Sequence, residues 1–217
     1  MSKYFIWTTL NKLEDEELFR KKLESTPNLK FSDKNSEVLE LTTNSKKFKI
    51  KIRRISLNLK QDDGYEAMRK KLVKILEYAH CNAEKIGNEK GQEHEKEDGA
   101  AINSLYSLLT KWHYDEKIDN ISILSCASDI LYKLLIGHYY VNANKRTALL
   151  ATIQFLQSFG FFVKFNPLKY SSNDWEPKLI KIIEIHEKET MTETEQLNRI
   201  KEWIKRHLLI SYKWYNF

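Results

Sequence analysis

The sequence predicts a mainly α fold: a helical bundle with a buried central helix, preceded by a small strand-rich N-terminal extension. Three observations predict it. Apolar residues recur at helical spacing in segment after segment beyond residue 65, whereas the first sixty residues carry β-type alternation. Residues 148–156, Ala-Leu-Leu-Ala-Thr-Ile-Gln-Phe-Leu, are apolar almost all the way round a helix, which suits the centre of a domain. With 217 residues, 41% of them hydrophobic, the chain is long enough and apolar enough to bury a sizeable core.

Taken in order, residues 4–10, 38–42 and 47–53 read as strands. The last alternates strictly, with Phe48, Ile50 and Ile52 on one face and Lys47, Lys49, Lys51 and Arg53 on the other. Residues 15–23 have helical spacing and stop before Pro27. After Asp62-Asp63-Gly64 the character changes, which divides the chain into a strand-rich region, 1–62, of unknown role and a helical domain, 63–217. A helix over 65–81 buries Met68, Leu72, Val73, Leu76 and Ala79. Residues 84–99 hold three glycines among many Glu and Lys, the composition of an exposed, mobile loop. Helices follow over 102–110, 121–136, 144–159, 176–187 and 193–208, with Gly137 and Gly160 placed as C-terminal glycines. The last two present a stripe of Leu179, Ile182, Ile183, Leu197, Ile200, Trp203 and Ile204 under solvated Glu and Lys.

No charged segment followed by an apolar one opens the chain, and no apolar run reaches the roughly 18 residues a membrane span needs, so a cytoplasmic protein is expected. Cys81 and Cys126 are too few for a disulfide framework and read as reduced, structural thiols. The net charge of +6 favours anionic company. The basic face of strand 47–53 lacks the aromatics that stack on bases, so it reads as solvated rather than as a nucleic-acid surface. A glycine-rich phosphate loop is absent from the sequence.

Chemistry concentrates around residue 144. Asn144 reads as the N-cap of the buried helix, and Lys145 and Arg146 then lie in its first turn. There each cation opposes the helix dipole at a cost of about 0.3–1 kcal/mol. A bound anion reverses that sign, since backbone N–H groups and both cations would address it. His138, on the connection just upstream, is well placed to take a proton from an attacking hydroxyl near neutral pH.

The run His138-x-Tyr140-x-Asn142-Ala143-Asn144-Lys145-Arg146 resembles the Fic/Doc signature: His, an aromatic two residues on, an acid, a small residue, then Asn, Gly or Lys, and Arg. The resemblance covers about half the chain, from about residue 98 to 208, and implies a Fido-type helical fold. It implies His138 as catalytic base, with Asn144, Lys145 and Arg146 binding phosphate. A nucleoside triphosphate, ATP by preference, would be the substrate, with Mg²⁺ held by the residue at 142. That residue is Asn142, whose neutral carbonyl is a poor substitute for a carboxylate.

Adenylyltransferase members carry a second Arg three residues after the first; here Leu149 stands there, which resembles the Doc (death-on-curing) toxin branch. That branch implies phosphoryl transfer to a Ser, Thr or Tyr hydroxyl of a cytoplasmic protein, such as a translation factor, with a separate antitoxin chain as partner. Protein adenylylation (AMPylation), or a weak or silent module that binds nucleotide or a partner, are the alternatives. The family's target-docking flap, an extended segment, would fall at 111–117 with Trp112, His113 and Tyr114, although a helix–helix loop with Trp112 packed on the core fits equally. His80, His113, His186 and His207 lack such context and read as surface or satisfied core residues.

Overall fold

The computed structural model describes residues 3–10, 12–25, 29–32, 38–43, 46–86, 96–114, 121–170 and 175–210. It is mainly helical. The strand-rich region comprises β1 (Lys3–Thr9), α1 (Leu13–Glu24), β2 (Leu29–Phe31), β3 (Val38–Thr43) and β4 (Lys46–Ser56). The four strands form one sheet in the order β1-β4-β3-β2, with β1 parallel to β4 and the other pairs antiparallel. A parallel pair needs a crossover, and α1 lies within the connecting segment. Along β4, Lys49 and Lys51 are exposed while Ile52 is buried, as its alternation predicts. The three-residue β2 escapes the sequence reading because it is too short to show a period.

The helical part runs α2 (Asp62–Asn82), α3 (Ala100–Tyr114), α4 (Ile123–Gly137), α5 (Asn144–Gln157), α6 (Trp175–Glu187) and α7 (Glu193–His207), with a small hairpin of β5 (Phe162–Val163) and β6 (Leu208–Leu209). Helix α5 packs on both α2 and α4 and buries residues on every side, from Arg146 and Thr147 to Phe155 and Leu156. It is the central helix. Helix α7 starts on a reciprocal capping box, Thr192 with Glu195, and ends on Lys205, Arg206 and His207, so both ends match its dipole. After α5, Gly160 adopts φ 82°, and Phe161 N–H donates to the Leu156 carbonyl at 3.0 Å, as at a glycine-terminated helix.

Among the described residues, a buried apolar cluster extends from Leu10, Leu18 and Phe19 to Leu208 and Ile210. Phe19 of α1 meets Phe161 edge-on at 6.0 Å. Both carboxylate oxygens of Asp15, itself 1% exposed, accept the Ile123 N–H that opens α4, at 2.9 and 3.1 Å. Beside it Glu14 pairs with Lys201 of α7 at 2.9 Å. Gly64 permits α2 to start where it does, because a Cβ there would run into the carbonyl oxygen of Asn58. Cys126 is buried and Cys81 exposed, and neither is in a disulfide. Among the described residues, no helix is long and apolar enough to cross a membrane.

Candidate active site

The segment between α4 and α5 is shaped by two departures from the sequence reading. Gly137 is the last helical residue, and the left-handed C-terminal position falls to His138, at φ 46° and ψ 46°. Glycine at 137 has a different reason: a Cβ there would run into the ring of Tyr139, which folds back under the helix end. Tyr139 is held there by its hydroxyl, which donates to Ser104 Oγ at 2.7 Å, and by its carbonyl, which accepts from Lys96 N–H at 2.8 Å.

The second departure is at Asn144. It is the first residue of α5, not its N-cap; that position is Ala143, left-handed at φ 61° and without a side-chain cap bond. The Asn144 amide closes the loop instead. Its Oδ1 accepts from Tyr140 N–H at 2.9 Å and its Nδ2 donates to the Tyr140 carbonyl at 2.7 Å. Tyr140 itself is buried, with its ring stacked on His80 at 4.4 Å and an interplanar angle of 17°. Two non-glycine residues in the left-handed region, at about 1–2 kcal/mol each, therefore bracket a loop held by a reciprocal amide clamp.

This loop forms one side of a cleft of about 230 Å³ lined by His138, Ala143, Asn144, Lys145 and Arg146, and by Tyr170, Glu176 and Ile183 from the opposite side. The first intrahelical bond of α5 runs from Thr147 N–H to the Ala143 carbonyl at 2.9 Å, so the N–H groups of residues 144–146 precede the helical ladder. Lys145 pairs with Glu176 of α6 at 3.2 Å. Arg146 is 4% exposed; its Nη1 donates to the Ile86 carbonyl at 3.5 Å, so the guanidinium also braces the end of the α2 segment. The cleft is smaller than the roughly 300 Å³ and more of a whole-ligand pocket.

Of the residues singled out in the sequence, His138, Asn144, Lys145 and Arg146 come together here; Asn142, Trp112, His113 and Tyr114 are not among the lining residues. Asn142 Oδ1 is buried without a hydrogen-bond partner. The carboxylate that does line the cleft, Glu176, is engaged with Lys145. Among the described residues, no cluster of three or more His, Cys, Asp or Glu is arranged to hold a metal. Mg²⁺ favours carboxylates beside substrate phosphates, so this donor set does not fit a resident Mg²⁺.

At its described residues the segment expected as an extended flap is helical. Trp112, His113 and Tyr114 form the last turn of α3, and residues 115–120 lie outside the described part. Trp112 is 1% exposed, and its Nε1–H donates to Asp129 Oδ2 at 2.8 Å. His113 Nδ1 lies 2.7 Å from the Leu59 carbonyl oxygen, and Tyr114 is 70% exposed. The helix continues because the apolar spacing of Leu105, Leu108, Leu109 and Trp112 carries through the polar residues. Of the loop expected at 84–99, residues 87–95 likewise lie outside the described part; Ala83–Lys85 form a 3₁₀ turn.

Sequence reasoning missed Glu176 and His80. A first-turn acid such as Glu176 ordinarily answers its own helix dipole, and nothing local links it to Lys145 thirty-one residues earlier. His80 lies on α2, far in sequence from the signature run at residues 138–146, and reaches Tyr140 through the packing of α2 on α5. His186 and His207 meet Tyr132 Oη and the Trp203 carbonyl, respectively, at 2.9 and 2.8 Å. Compared with models of known protein families and with curated proteins, the sequence matches none.

Proposed function

We propose that the chain is a Fic/Doc-type transferase, nearer the Doc branch, that moves a phosphoryl group from ATP to a hydroxyl side chain of a cytoplasmic protein. The observation that carries this reading is the shared cleft: a strained, clamped loop gathers His138, Asn144, Lys145 and Arg146 at one helix start. In the reaction the target's hydroxyl oxygen attacks the γ-phosphorus, the bond from that phosphorus to the β–γ bridging oxygen breaks, and ADP leaves. The hydroxyl proton passes to the His138 imidazole. The first-turn N–H groups of α5 and Lys145 would hold the transferred phosphate, with Lys145 exchanging Glu176 for it. Leu149, buried in α5, offers no second cation of the kind an adenylyltransferase carries at that position. A separate antitoxin chain would be the natural regulator of such an activity.

The test uses ATP labelled at the γ- or the α-phosphate with candidate protein targets. Label from the γ-position should reach protein, and His138→Ala should lower the rate by ~10²–10⁴-fold. Label from the α-position would instead establish adenylylation. A second reading, a silent module that binds nucleotide or a partner, is favoured by Asn142, whose carbonyl supplies no charge where the signature has an acid. Nucleotide binding without transfer of either label would select it.

A further inference from the structure

The seam between α6 and α7 forms a second pocket, of about 100 Å³, on the side of α6 away from Glu176 and Ile183. Ile182, Ile185 and Ile200 make its apolar floor, Lys178, Lys181 and Arg199 its rim, and Gln196 lines it from α7. Two independent features distinguish it. The first is a cluster of cations without a close ion-pair partner. Among the described residues, Lys178, Lys181 and Arg199 form no ion pair. Lys178 is held below the ordinary lysine range, first by burial and then by the neighbouring cations Lys181, Arg199 and Arg206. Glu195, one turn before Arg199 on α7, feels the Arg199 charge, but its carboxylate is bonded to the Thr192 N–H and hydroxyl, both at 2.9 Å.

The second feature is Gln196. It is 4% exposed, and its Oε1 is buried without a hydrogen-bond partner. A buried amide oxygen is normally satisfied, so an orphan lining a pocket marks a place where a donor belongs. The pocket therefore asks for a small ligand that is anionic towards three cations and yet carries one hydroxyl donor.

We propose that this pocket binds hydrogen phosphate, with its anionic oxygens on Lys178, Lys181 and Arg199 and its remaining P–O–H donating to Gln196 Oε1. Sulfate has the same shape and charge but no hydroxyl at neutral pH. A phosphate monoester above its second pKa of about 6 has also lost its donor. The donor requirement thus selects free phosphate over both. Such discrimination is strong where a site is built to pair with a hydroxyl, because the analogue leaves a buried group unpaired.

The experiment is calorimetric titration of the full chain with inorganic phosphate at pH 7.5 and low ionic strength, with sulfate and phenyl phosphate as comparison probes. Phosphate should bind about ten-fold or more tightly than either. The double variant Lys181→Gln/Arg199→Gln, which changes only exposed side chains, should weaken phosphate by about ten-fold or more, while Lys145→Gln should leave it unchanged. Gln196→Met should erase the preference over sulfate. Equal affinity for phosphate and sulfate in the natural chain overturns the proposal. So does phosphate binding that survives the double variant, or that disappears with Lys145→Gln, which would place it in the α5 cleft.

Discussion

Asp15 ties the strand-rich region to the helical bundle in a way that should be readable in stability against pH. Its carboxylate is buried at the start of α4, and burial pushes its pKa from 3.8 up to about 7, against the lowering effect of the Ile123 N–H. Glu14 adds to the rise, and Lys201 and Lys12 oppose it. The folded chain therefore holds a proton on Asp15 between about pH 4 and pH 7 that the unfolded chain releases. Stability from this group is present in full below the unfolded value and is lost as pH rises towards 7. At about 1.4 kcal/mol per pH unit, the displacement is worth about 4 kcal/mol.

Asp15→Asn keeps an oxygen for the Ile123 N–H and removes the titration. Relative to the natural chain, the variant should gain about 1–3 kcal/mol at pH 8 and nothing at pH 4, allowing for the lost helix-terminus charge. Urea unfolding followed by tryptophan fluorescence from pH 4 to 8 measures this. The difference between the two proteins is the readout, because Asp129, whose pKa burial also raises, titrates in both. Parallel profiles, or a natural chain that strengthens relative to the variant as pH rises, would show that Asp15 is ionised in the fold and refute the reasoning.

Three further outcomes follow from the loop and its surroundings. Gly64→Ala should cost about 1–3 kcal/mol or more, since its Cβ meets backbone that cannot swing aside; an unchanged melting temperature would contradict the contact. Ala143→Gly should leave stability unchanged or raise it by about 1 kcal/mol, because relief of the left-handed strain outweighs the entropy of an added glycine; clear destabilisation in a urea titration would deny the strain. Asn142→Asp should destabilise the chain by about 1–3 kcal/mol at pH 8 by burying a carboxylate, and millimolar Mg²⁺ should not restore its melting temperature; selective rescue by Mg²⁺ would show that position 142 addresses metal after all.

What the sequence makes legible here is periodic, and what it hides is reciprocal. Helices α2 to α7 announce themselves because each repeats an apolar stripe over three or more turns, and the strand at residues 47–53 alternates without interruption. Even His138, Asn144, Lys145 and Arg146 are readable, as cations and an imidazole set against a helix start that disfavours them. Their partners are not. Asn144 has the composition of an N-cap, and that local preference loses because its amide satisfies two backbone groups of Tyr140 at once, which a cap bond cannot do. Gly137 has the composition of a left-handed terminus, yet it is needed for the space that Tyr139 fills, so the strain moves one residue on to His138. Lys145 looks like an unanswered charge until α6 brings Glu176 to it.

That last pair also constrains the chemistry. A cation already matched by a carboxylate at 3.2 Å gains from phosphate only the difference between the two anions. The cleft should therefore discriminate by charge: a triphosphate can displace Glu176 from Lys145, whereas a singly charged anion competes with the carboxylate on equal terms. The anchoring of the loop does not involve that pair, because the Asn144 amide bonds the Tyr140 backbone and the Tyr140 ring stacks on His80. On the proposed function, binding and loop geometry are thus separable, with Lys145 and Glu176 setting the first and Asn144 the second.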